Sequence, residues 1–98
     1  MIMARDKALG KVVVITGVAR GLGRALAEGM AANGHRVVGC SRSEKKIAEL
    51  EKALGHSHSF SVVDVRDDDA VHEWAVAVNR EYGAPDLLLN NAAVINKN

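Results

Sequence analysis

Disulfides, aromatic platforms and a strong net charge are all missing from this 98-residue chain. Its one cysteine, Cys40, excludes an internal disulfide and fits a reducing cytoplasm. Cys40 lies in an apolar stretch, so it reads as a packed, unreactive thiol. Phe60, Trp74 and Tyr82 are too few to build a base-stacking surface. Thirteen Lys and Arg against twelve Asp and Glu leave a formal charge of +1, with the basic residues scattered. No nucleic-acid footprint is visible in that pattern. No apolar run approaches the ~18 residues of a membrane span, and no signal-peptide pattern opens the chain. The expectation is a cytoplasmic protein that binds neither membrane nor nucleic acid. Repeats, low-complexity segments and internal linkers are missing as well. The length allows one small domain that buries only about two-thirds of its unfolded surface.

What is present centres on residues 11–30. Val12, Val13, Val14 and Ile15 form a continuous β-branched run, as in a strand buried on both faces of a parallel sheet. Thr16-Gly17-Val18-Ala19-Arg20-Gly21-Leu22-Gly23 follows, and then a helical apolar rhythm through Leu22, Leu26 and Met30. Strand, glycine turn and helix in that order predict a phosphate site. The glycines let the backbone approach a pyrophosphate, and the free N–H groups and dipole of the helix start favour its charge. The spacing is Gly-x-x-x-Gly-x-Gly, and no Gly-Lys-Ser/Thr closes it as a P-loop would require.

Downstream, Asn33-Gly34 stops the first helix, and Val37 to Ser41 reads as a second strand. Ser43 is a good N-cap for a helix carrying Ile47, Leu50 and Leu54 on one face, and Gly55 ends it. His56-Ser57-His58 has a metal-like spacing but no third ligand nearby, so it reads as a solvated polar loop. Phe60 to Val63 is a third strand ending at Asp64-Val65. Asp67 to Asp69 place negative charge at the start of a third helix, where the dipole favours it. Val71, Trp74, Ala75, Val78 and Tyr82 should line the packed face of that helix. Gly83 and Pro85 stop it, and Asp86 to Asn91 reads as a fourth strand with Leu87, Leu88 and Leu89 covered on both sides.

This β-α-β-α-β-α-β series predicts an α/β fold with a Rossmann-type doubly wound parallel sheet. Right-handed crossovers give the strand order 3-2-1-4. The ends at Thr16, Ser41, Asp64 and Asn90 then share one edge, with the topological switch between strands one and four.

Thr16-Gly17-x-x-x-Gly21-x-Gly23, Asp64-Val65 and Asn90-Asn91-Ala92-Ala93 together resemble the short-chain dehydrogenase/reductase family, over Lys11 to about Val94. The segments Gly39-Cys40-Ser41-Arg42 and Ile95-Asn96-Lys97-Asn98 resemble a pterin-aldehyde-reductase-like branch. The resemblance implies that Thr16, Gly17, Val18, Ala19, Arg20, Gly21, Leu22 and Gly23 surround the pyrophosphate and adenosine ribose of a dinucleotide. It implies that Asp64 accepts from the adenine amino group beside the Val65 backbone. Asn91, Ala92 and Ala93 would pass the adenosine side, with Asn90 bracing strand four. The family usually has glycine at the Ala93 position, where a methyl group narrows the approach. NAD enzymes place an acid at the end of strand two, whereas this chain has Ser41-Arg42, and Arg20 precedes the second loop glycine. Two guanidiniums suit a ribose 2′-phosphate, so the expected cofactor is NADP(H).

The family's Ser and Tyr-x-x-x-Lys set is not found. The only tyrosine is Tyr82, and Asp86 stands four residues on. No catalytic residue is expected in this stretch. It reads as the incomplete first half of one Rossmann domain, from a hydride-transferring reductase of small-molecule carbonyls that would be a homo-oligomer when complete. The other class left open is a non-catalytic nucleotide-binding or interaction module.

Overall fold

The computed structural model describes residues 11–18, 21–55 and 57–91. Its elements are β1 (Val12–Thr16), α1 (Gly21–Ala32), β2 (Arg36–Ser41), α2 (Glu44–Leu54), β3 (Ser59–Val62), α3 (Asp68–Tyr82) and β4 (Leu87–Asn90). The four strands are all parallel and lie in the order β3-β2-β1-β4. This is the expected doubly wound α/β arrangement.

Strand alternation divides the core into two layers. Val13, Ile15 and Val37 face one side, where Ala27 of α1 and Ile47 and Leu50 of α2 close over them together with Val18 and Phe60. Val14 and Val38 face the other side, where α3 packs Val78, Trp74 and Tyr82 against them. The near-unbroken valine run of β1 follows from this two-sided burial. Tyr82 also lies under the Arg36 guanidinium, 5.4 Å from its ring centroid.

Local chemistry fixes the element ends. Ser43 accepts from the Lys46 N–H at 3.3 Å, and Asp67 accepts from the Ala70 N–H at 3.1 Å. Gly55 and Gly83 close α2 and α3 with φ of 88° and 81°. The Asp86 carboxylate accepts from the Val12 N–H at 2.7 Å while its own N–H donates to the Val12 carbonyl at 2.9 Å. That reciprocal pair pins the start of β4 to the start of β1.

Four expectations need correction. Leu22 is 66% exposed. It lies in the first turn of α1, and the buried stripe runs instead through Gly23 and Ala27. Ala75 is exposed and shares the outer face of α3 with His72, Val76, Asn79 and Arg80, because the packed stripe steps through Trp74, Val78 and Tyr82. Leu87 and Leu88 are 42% and 58% exposed, and only Leu89 of β4 joins the core. Among the described residues β4 has one neighbouring strand, and the helices cover β1 and β2 rather than β4. His58, finally, is no solvated loop residue. It is half-buried, and its Nδ1 accepts the Val37 N–H at 3.0 Å, where the β2–β3 ladder has not yet begun.

Candidate nucleotide-binding edge

The C-terminal ends of the four strands meet along one edge, and the turn after β1 is built from several directions. Gly17 takes φ 66° and Gly21 takes φ 57°, a left-handed backbone that β-branched residues avoid. Between them Val18 is fully buried. Its N–H donates to the Cys40 carbonyl at 3.0 Å, so the turn is stitched to β2. Gly39 makes room for it: a Cβ there would stand 2.8 Å from the Cβ and Cγ2 of Val18. The Val18 side chain therefore belongs to the core.

Gly23 sits where α1 presses on this turn. A Cβ at Gly23 would come within 1.9 Å of the Gly17 carbonyl oxygen and 2.8 Å of Asn91 Nδ2. At Gly21, by contrast, an added Cβ would meet nothing within 4 Å. The turn is thus close-packed toward the sheet and open at Gly21, with Leu22 exposed beside it. From the other strand, Asn91 Nδ2 donates to the Gly17 carbonyl at 3.1 Å, and Thr16 Oγ1 donates to Asn90 Oδ1 at 2.9 Å. The glycine turn and the end of β4 form one hydrogen-bonded unit across the switch point.

Electrostatics mark the same edge. The first turn of α1 contains no acidic residue, whereas α2 has Glu44 and α3 has Asp68 and Asp69 in theirs. The dipole at the start of α1 is therefore not neutralised by its own side chains. At the end of β2, the Ser41 hydroxyl accepts from the Ser43 N–H at 3.2 Å, and the Ser41 carbonyl receives the Val63 N–H at 2.9 Å. Arg42 is exposed, with no hydrogen bond or ion pair among the described residues, and its charge favours the ionised form of Asp64.

Asp64, one residue beyond Val63, carries a two-pronged ion pair. Arg66 Nη2 donates to Oδ2 at 2.8 Å, Arg66 Nε to Oδ1 at 3.0 Å, and the Arg66 backbone N–H to the same Oδ1 at 3.0 Å. The Arg66 hydrogen bonds hold the Asp64 carboxyl well below the usual carboxylate range, and the charges of Arg66 and Arg42 act in the same direction. Asp64 and Arg66 offset each other, and the Arg42 charge acts beside the pair. Val65 is half-buried beside it. Under the edge, burial pushes the Cys40 thiol up to about 11, against a smaller opposing effect of the Gly17 backbone. It is protonated and inert at neutral pH.

The structure thus brings Thr16, Gly17, Val18, Gly21, Leu22, Gly23, Ser41, Arg42, Asp64, Val65 and Asn91 to one edge. Ala19, Arg20, Ala92 and Ala93 lie outside the described residues. Sequence reasoning passed over Arg66, whose only signal is its place two residues after Asp64 in a turn. It also passed over the reason for Gly39, which depends on the volume of a residue 21 positions away. No helix among the described residues is long and apolar enough to cross a membrane.

Comparison with known proteins converges on one group. The model of the short chain dehydrogenase family matches residues 11–98. The chain is 44% identical over 90 residues to an NADPH-dependent pterin aldehyde reductase of Arabidopsis thaliana, covering 90% of this chain and 37% of that protein. It is 34% identical over 89 residues to the 3-oxoacyl-[acyl-carrier-protein] reductase FabG of Escherichia coli, covering 91% of this chain and 36% of that protein. A short-chain dehydrogenase from Streptomyces avermitilis superposes with a TM-score of 0.78 at 34% identity, over 84% of this chain and 30% of that one. The chain thus spans little more than a third of the length of these two reductases. A glycine turn locked to β4, the 3-2-1-4 sheet and a family match from Lys11 onward lead to one conclusion: the chain belongs to the short-chain dehydrogenase family.

Proposed function

We propose that this chain binds NADP(H) along the C-terminal edge of its sheet, as the nucleotide-binding part of an oxidoreductase that moves hydride between NADP(H) and a small carbonyl or alcohol. The observation that carries the reading is the pairing of an α1 first turn without an acid with an exposed Arg42 at the end of β2, which makes no ion pair among the described residues. The first favours a pyrophosphate and the second a ribose 2′-phosphate. The residues fit such a nucleotide, because the turn is open at Gly21 and packed tight at Gly23.

In this reading Gly17, Ala19, Arg20, Gly21, Leu22 and Gly23 line the pyrophosphate and the adenosine ribose. Arg42, together with Arg20, holds the 2′-phosphate. Asp64 accepts the adenine amino group, the Val65 backbone lies beside the ring, and Asn91, Ala92 and Ala93 border the adenosine. A bound nicotinamide would supply or receive the hydride. This chain's residues orient the nucleotide, and Tyr82 stays packed on the inner face of α3 rather than acting as an acid. The similarity to a plant reductase named as NADPH-dependent supports the choice of NADP(H).

Titration with NADPH and NADH, followed by quenching of Trp74 fluorescence or by calorimetry, tests the proposal. Wild type should prefer NADPH. Arg42→Asp should lose about tenfold or more in NADPH affinity, since a charge-assisted hydrogen bond contributes roughly 1.5–3 kcal/mol. A wild type that prefers NADH would refute it.

A further inference from the structure

Arg66 has no role in the proposed nucleotide contacts, yet among the described residues it makes every hydrogen bond to the Asp64 side chain. An ionised carboxylate offers about four acceptor positions. Oδ1 receives two N–H groups of Arg66 and Oδ2 receives a third, at 2.8–3.0 Å. One acceptor position on Oδ2 is left. Three bonds from one residue also fix the carboxylate plane, because the backbone N–H closes an Asx turn while the guanidinium fork grips both oxygens. The Asp64 carbonyl accepts the Asp67 N–H at 2.9 Å, which fixes the backbone of the same turn. The pair remains reachable at the rim, with the side chains of Arg66 and Asp64 62% and 36% exposed.

We infer that Arg66 is a positioning residue that turns Asp64 into a single, oriented acceptor and so makes the site select a purine bearing a 6-amino group over one bearing a 6-oxo group. The inference rests on the reading of Asp64 as the adenine contact. An adenine amino group donates to the remaining Oδ2 position. A hypoxanthine carbonyl presents an acceptor to an acceptor, and a carboxylate held ionised and in plane by Arg66 can neither rotate away nor take up a proton to meet it. Without Arg66 the carboxylate turns freely and its discrimination falls.

The test compares the affinities of NADPH and its deaminated analogue, nicotinamide hypoxanthine dinucleotide phosphate, in wild type, Arg66→Ala, Arg66→Lys and Asp64→Asn. Wild type should bind NADPH about tenfold or more tightly than the analogue, the scale of one charge-assisted hydrogen bond. Arg66→Ala should bring the two affinities to within about threefold, chiefly by weakening NADPH. Arg66→Lys restores charge without the fork and should fall between. Asp64→Asn, whose amide both donates and accepts, should abolish the preference. A merely structural Arg66 would weaken both nucleotides alike and leave the ratio as in wild type, which overturns the inference and leaves NADP(H) binding standing. Failure of wild type to bind NADPH overturns both. Urea melts of the apoproteins check folding, and if Arg66→Ala is unfolded the lysine and Asp64→Asn ratios decide.

Discussion

Placing one methyl group at either of two positions of α1 gives opposite outcomes. Gly23→Ala puts a Cβ 1.9 Å from the Gly17 carbonyl oxygen and 2.8 Å from Asn91 Nδ2. Ordinary contact needs more than 3.4 Å, so the helix start and the turn must part by more than an ångström. The neighbour is backbone and cannot step aside by a rotamer change. Overpacking of this kind costs about 1–3 kcal/mol. Parting also breaks the Asn91–Gly17 hydrogen bond, about 0.5–1.5 kcal/mol more. Replacing a helical glycine by alanine returns roughly 1 kcal/mol. The balance is a loss of about 0.5–3.5 kcal/mol, with most of the range unfavourable by more than 1. Gly29 lies two turns along the same helix without a positive φ, and its added Cβ meets nothing within 4 Å. Gly29→Ala should gain about 0.5–1 kcal/mol. For a domain of this size 1 kcal/mol shifts Tm by roughly 4–8 °C. Thermal and urea melts by circular dichroism should therefore place Gly23→Ala below wild type and Gly29→Ala above it. NADPH affinity should fall for the first and hold for the second. Equal or reversed shifts would refute the packing argument.

Other substitutions follow from contacts of the same kind. Gly39→Ala should destabilise the fold by about 1–3 kcal/mol through its clash with Val18, and adding Val18→Ala should recover part of that loss; additive losses would refute the contact. His58 accepts the Val37 N–H only while Nδ1 is unprotonated, and burial, aided by the Arg36 charge, lowers its pKa from the ordinary 6.5. Below that value the unfolded chain binds more protons than the folded one, so this stabilisation is complete above about pH 6.5 and is lost as pH falls through the depressed folded pKa. Urea melts at pH 7.5 and 5 should show a smaller pH dependence for His58→Leu than for wild type, and equal dependence would sink the assignment.

The sheet was legible because its signals are local. Val12 to Ile15, the cap Ser43, the acidic helix start Asp67 to Asp69, and Gly55 and Gly83 each act within a few residues, and crossover handedness turns them into the order β3-β2-β1-β4. What escaped depends on distant partners. Leu88 reads as core in any window, and its 58% exposure follows from its place on β4, which has one neighbouring strand among the described residues. His58 looks like loop polarity until the Val37 N–H is placed beside it. Gly39 looks like a weak strand residue until Val18 is folded over it. At the edge, glycine spacing and the Ser41-Arg42 end of β2 could be read directly. The grip of Arg66 on Asp64 could not, because it depends on the backbone path of the turn after β3.

The two hydrogen bonds that join Thr16 to Asn90 and Gly17 to Asn91 each link residues 74 positions apart. A contact of that span closes a long loop and carries a correspondingly large entropic cost, so it forms late relative to the turns and helices between. The glycine turn is therefore not a self-contained anion trap made by the first thirty residues. Its carbonyl is oriented by the last described strand, and a chain that has folded only as far as β3 would display the glycines without their final geometry. Under the proposed function, nucleotide affinity then becomes a gauge of β4 docking. By mass action, a ligand that binds only the docked form holds β4 in place by RT ln(1 + [L]/Kd), about 2.7 kcal/mol at a hundredfold excess over Kd. Amide exchange in β4 should slow with added nucleotide even though the residues that join strand and turn stand 74 positions apart.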